Sequence, residues 1–158
     1  MTYILRLVDK NDSGIYTKLW SDLSAFFSID DAYNCEGYWS RPSPSDESPQ
    51  FYSALNKNPK HLFGFDSVHS YHNWFCDHKW RNFLNVRKAK LLVIDAKEKE
   101  ITRAESGRQC IFNPNTMKIL AELEPNHFDK NPEHSIKDAI LSTKIKGHST
   151  MKAQKNVA

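Results

Sequence analysis

Between Lys90 and Lys97 the chain reads Leu91-Leu92-Val93-Ile94, four apolar residues without a break. Successive side chains of a strand point to opposite faces, so an unbroken run predicts a central strand covered on both sides. A chain with such a strand must supply two apolar layers to cover it. This one has the material: 39% of its 158 residues are hydrophobic, including nine Phe, six Tyr and four Trp. That is too much large apolar side chain for a disordered protein, and the length suits one core and not two ordinary ones. The expectation is a single domain.

Other segments have periodicities that sort themselves around this strand. Thr2 to Asp9 alternates, with Tyr3, Leu5 and Leu7 on one side and Ile4, Arg6 and Val8 on the other, and Asn11-Asp12-Ser13-Gly14 ends it as a turn. Tyr16 to Phe27 places Leu19, Leu23, Phe26 and Phe27 at helical spacing. Residues 30–50, with Pro42, Pro44 and Pro49 among Ser, Asp and Glu, read as one long loop carrying Tyr33, Tyr38 and Trp39. His61 to Phe65 reads as a short strand, and Asp66 or Ser67 can cap a helix running through Val68, Tyr71 and Phe75, with a second amphipathic piece around Trp80 to Leu84. Ile101–Ala104 and Gln109–Phe112 flank the Gly-containing turn 105–108 as an antiparallel hairpin. Ser135 to Lys144 reads as a last short helix. The sum is an α+β domain, with a mostly antiparallel sheet and two or three helices on one side. Residues 1–128 are expected to form the body and 129–158 a basic C-terminal segment, a short helix followed by a disordered end.

Charge and punctuation remove several function classes. The net charge is +3, but Lys137 to Ala158 holds five Lys against one Asp, which leaves the rest of the chain near neutral. A nucleic-acid reader carries its positive surface on the folded body, so nucleic acid is disfavoured as a partner. The five glycines are too scattered to cradle a phosphate in the Walker or dinucleotide manner. Three cysteines cannot all pair within one chain, and the N-terminus lacks the pattern of a signal peptide, so a reducing cytoplasm is expected. No apolar run approaches the length of a membrane span.

Three sets of residues could carry chemistry. On a helix, His69, His72 and Cys76 would form one ridge of imidazole and thiolate, ligands that zinc prefers; packing of His72 and Cys76 at the core edge is the competing reading. Arg6 interrupts an apolar strand face, and a guanidinium cannot lose its proton, so an anion is expected beside it: an internal carboxylate or a ligand phosphate. Glu122 and Glu124 would lie on one side of a strand, as a carboxylate pair or as a solvated turn before Pro125.

The opening Tyr3-Ile4-Leu5-Arg6 with Ser13-Gly14, the entry Phe63-Gly64-Phe65-Asp66-Ser67, the pair Trp74-Phe75 and the stretch Gly107-Arg108-Gln109-Cys110-Ile111-Phe112 resemble a loose group of small bacteriophage and prophage proteins. The resemblance implies a phage protein acting inside a bacterium and brings no reaction with it. On it rests the leading expectation: a small cytoplasmic interaction protein, with no cofactor, that binds and inhibits a host protein through Tyr33, Tyr38 and Trp39, residue types enriched in interface hot spots. A fainter resemblance is to ADP-ribosyltransferases, with Arg6 as the first-strand Arg, Ser67 as the middle Ser and Glu124 closing a Glu-x-Glu pair. It implies NAD as the cofactor, with Arg6 on the pyrophosphate, Ser67 on the nicotinamide ribose and Glu124 steadying the oxocarbenium-like charge.

Overall fold

The computed structural model describes residues 1–14, 47–75 and 78–143. The elements begin with strand β1 (Thr2–Val8), helix α1 (Pro49–Lys57), strand β2 (Leu62–Gly64) and helices α2 (Val68–Trp74) and α3 (His78–Val86). Strands β3 (Lys90–Ala96), β4 (Ile101–Arg103), β5 (Cys110–Phe112) and β6 (Lys118–Leu123) follow, then helix α4 (His127–Lys130) and helix α5 (136–143). The α+β class is as expected, and every strand pairing is antiparallel.

Among the described residues the strands divide into two three-stranded sheets, ordered β1-β3-β6 and β2-β5-β4. Leu5 and Phe65 join them by a pair of backbone hydrogen bonds, each 2.7 Å, so the second sheet hangs from the edge of the first. Gly64 permits this approach. A Cβ there would stand 2.4 Å from Ile4 Cγ2 and 2.9 Å from the Leu5 carbonyl, distances no side chain tolerates.

The central position of β3 explains its unbroken apolar run. Leu91 and Val93 point with Leu5, Leu7, Ala121 and Leu123 toward a helical layer of Tyr71, Trp74, Trp80, Leu84, Phe128, Ala139 and Ile140. Leu92 and Ile94 point the other way with Ile4 and Val8, onto Cys110 and Phe112 of the second sheet. All four are buried, which stabilises the fold by about 1.5–3 kcal/mol for each large side chain, as an upper estimate. Beyond the second sheet, Phe63 and Ile111 meet Phe51, Ala54 and Leu55 of α1. Helices α2 to α5 thus share one face of the first sheet, while α1 caps the outer face of the second.

Two boundaries differ from expectation. The sequence places the long loop through residue 50, yet the chain is already helical at Pro49: Ser48 caps α1, its hydroxyl accepting from Phe51 N at 3.1 Å, and Pro at the first helical position has no amide to leave unpaired. The body also does not stop at residue 128, because Ala139 and Ile140 belong to the main core. A reciprocal cap opens α5, with Ser135 N donating to Asp138 Oδ2 and Asp138 N to Ser135 Oγ. The expected helix 16–27, residues 30–46 of the loop and the end of the basic segment lie outside the described residues.

Candidate functional site

Arg6 projects between the two sheets, and its residue is 8% exposed. Its Nη1 donates to the Phe63 carbonyl at 2.8 Å, and Gly14 lies so close that a Cβ there would be 2.7 Å from Nη2. Among the described residues no carboxylate pairs with it; Asp22, Asp30, Asp31 and Glu36 lie outside the described residues. Burial alone lowers its pKa. Among the described residues it is a carbonyl dipole that meets this cation, and the contact stitches β1 to β2.

Ser67 and Glu124 occupy different surroundings from Arg6. Ser67 caps α2, accepting from Ser70 N, and donates to Ser70 Oγ, which in turn donates to the Gly107 carbonyl at 2.9 Å. Its hydroxyl thereby ties the start of α2 to the β4–β5 turn. Glu124 follows β6 and accepts from Lys130 Nζ at 2.6 Å. Strand β3 lies between β6 and the strand that carries Arg6, and each of the three side chains has a local structural partner. The structure does not bring Arg6, Ser67 and Glu124 into contact. Glu122 stands in register with Leu92 across β3 and faces Lys90 at 3.9 Å, a solvated pair.

Of the three-ligand ridge, His69 and His72 lie on α2, which ends at Trp74 with Phe75 at the cap position, and Cys76 lies outside the described residues. His69 is exposed and shares a 3.0 Å contact with Asn73 Nδ2. His72 is half-buried with Nε2 lacking a hydrogen bond, and burial, then the charge of Arg81, lowers its pKa. Among the described residues no group of three or more His, Cys, Asp or Glu side chains is placed to hold a metal ion. Tyr33, Tyr38 and Trp39 lie outside the described residues.

Sequence reasoning missed the best-formed polar cluster. Arg81, on the buried side of α3, donates from Nε to Asp129 Oδ2 and from Nη2 to Asp129 Oδ1, both at 2.7 Å, and from Nη1 to the Phe75 carbonyl. Beside it Tyr71, fully buried, donates to the Pro125 carbonyl at 2.7 Å, and burial raises its pKa so that the phenol keeps its proton. The signal was an Arg one position from Trp80 and three from Leu84, on a helix face that has to be buried. Cys110 completes the inventory. Its thiol is pushed up to about 12 by burial, too high for a thiolate nucleophile at neutral pH.

These clusters join strand to strand and helix to helix; they form a scaffold. No curated protein and no solved structure matches the chain significantly. No helix among the described residues is long and apolar enough to cross a membrane. A family model does match, and it spans residues 1–126, which include both sheets and helices α1 to α3. Its description is "Bacteriophage T4 Y00F protein", and the chain belongs to that phage protein family.

Proposed function

We propose that this protein is a phage-encoded interaction module that binds and inhibits a host bacterial protein, with Tyr33, Tyr38 and Trp39 supplying the contacts. The observation that carries this reading is membership of a phage protein family combined with an aromatic, proline-rich stretch inserted between β1 and α1. Three large aromatics bring wide contact area at low conformational cost, which is what a hot-spot cluster needs. The placement of Arg6, Ser67 and Glu124 supports the same reading, since each of these candidate catalytic groups serves a local structural contact.

Affinity capture with the full chain from host lysate, followed by calorimetry with the purified captured protein, tests it. The binary complex should form, and Tyr33→Ala/Tyr38→Ala/Trp39→Ala should weaken it at least 100-fold with thermal unfolding unchanged. A captured protein that does not bind in isolation, or that binds the triple variant equally well, overturns the reading.

A further inference from the structure

Helix α4 and the turn after it bring together two imidazoles that no part of the scaffold argument uses. His127 Nε2 and His134 Nδ1 stand 3.2 Å apart, with ring centroids separated by 5.3 Å. Nitrogens bonded to a tetrahedral zinc at its usual distance are about 3.3 Å apart, because two bonds of roughly 2.0–2.1 Å open at the tetrahedral angle. The observed separation, which in this structure is a hydrogen bond between the rings, is close to that of two ligands on one ion.

The surroundings favour the same arrangement. Asn131 donates to the His127 carbonyl from both its backbone N (2.9 Å) and its Nδ2 (3.0 Å), and His134 N donates to Asn131 O at 3.0 Å, so the turn holds the two rings in place. The Phe128 ring, itself buried, sets edge-on against His127 at 5.0 Å. On the far side of His134 the Glu133 carboxylate lies 3.6 Å from Nε2, beyond hydrogen-bond distance, and places a negative charge beside the pair. The His134 side chain is 22% exposed, which gives an ion a way in. Lys130 is compensated by Glu124 and Asp129 by Arg81, so the flanking charges are already paired.

We propose that His127 and His134 form a two-nitrogen chelate for a first-row divalent cation, zinc being the ion to test, with water completing the coordination. The ion replaces the hydrogen bond between the rings and pins α4 to the segment leading into α5. The site lies beyond the residues of the family match, so it is a property of this chain and is independent of the host-protein reading.

The experiment titrates zinc chloride into untagged full-length protein, stripped with a chelator, in competition with a chromophoric indicator. One zinc should bind per chain with release of protons, and copper(II) should bind more tightly than zinc. His127→Ala and His134→Ala should each weaken binding at least tenfold, Glu133→Gln by less, and His69→Ala and His72→Ala not at all. Proton NMR of the wild-type chain gives a readout that needs no variant: the ring signals of His127 and His134 should shift with one equivalent of zinc. Unchanged affinity in His134→Ala, loss in His72→Ala in its place, or unmoved His127 and His134 signals overturns the proposal.

Discussion

Changing Asp129 to Ala should be among the most damaging single substitutions in the chain, and Arg81→Met distinctly milder, although the two residues share one ion pair. In Asp129→Ala the guanidinium of Arg81, 7% exposed, loses two hydrogen bonds of 2.7 Å and the charge opposite it, and keeps the Phe75 carbonyl. Breaking a buried pair in this way costs about 3–5 kcal/mol, and the 24% exposure of Asp129 favours the low end, about 3 kcal/mol. In Arg81→Met the partner left behind is that partly exposed carboxylate, which water can solvate, while the thioether fills much of the vacated volume; about 1–2 kcal/mol is expected. The double variant leaves no orphan charge and should cost no more than Arg81→Met, which makes the coupling at least the Asp129→Ala cost, about 3 kcal/mol. Urea unfolding at fixed pH and salt measures this, with the slope required to stay constant so that midpoint shifts report stability. For a domain of this size Asp129→Ala should lower the melting temperature by roughly 6–12 °C. Equal costs for the two single variants, or a cost below about 1 kcal/mol for Asp129→Ala, would refute the reasoning.

Gly64→Ala should destabilise the fold by about 3 kcal/mol, since its Cβ would collide with Ile4 and the Leu5 carbonyl and push the second sheet off the first; loss of amide-exchange protection at Leu5 and Phe65 would locate the damage. Stability should also fall in mild acid through His72. Its folded pKa lies below the ordinary 6.5, so its contribution is complete above about pH 6.5 and is lost as the pH drops toward the folded value, where the unfolded chain takes up the proton first. Urea midpoints followed from about pH 7.5 to 5.5 should show a shallower decline in His72→Gln than in the wild type, and identical slopes would remove His72 from the account.

The residues settled by local rules were legible in advance. The simplest reading of a four-residue apolar run between lysines is a strand covered on both faces, and Leu91 to Ile94 is one. The Gly107 turn, at φ 69°, closes the β4–β5 hairpin, and Ser67 caps α2, because turn and cap chemistry depends on neighbours a few residues away. Helix α1 was legible too, in Ser48-Pro49 followed by Phe51, Ala54 and Leu55, but the prolines upstream drew it into the loop.

What separates the candidate site from its sequence reading is distance along the chain. The position of Arg81 beside Trp80 and Leu84 marks a buried helix face, but its partner Asp129 lies 48 residues later and is known only once the chain is folded. Arg6 calls for an anion by its charge, and among the described residues the group that meets it is the Phe63 carbonyl, presented because Gly64 lets β2 approach β1. His69, His72 and Cys76 share a ridge only if one helix carries all three, and α2 stops at Trp74, with Phe75 at its cap. Spacing determined which side chains could share a face, since period and turn chemistry act over a few residues. Which of those faces meet was decided by the packing of distant segments, because burial, desolvation and ion pairing are set by whatever the rest of the chain places opposite.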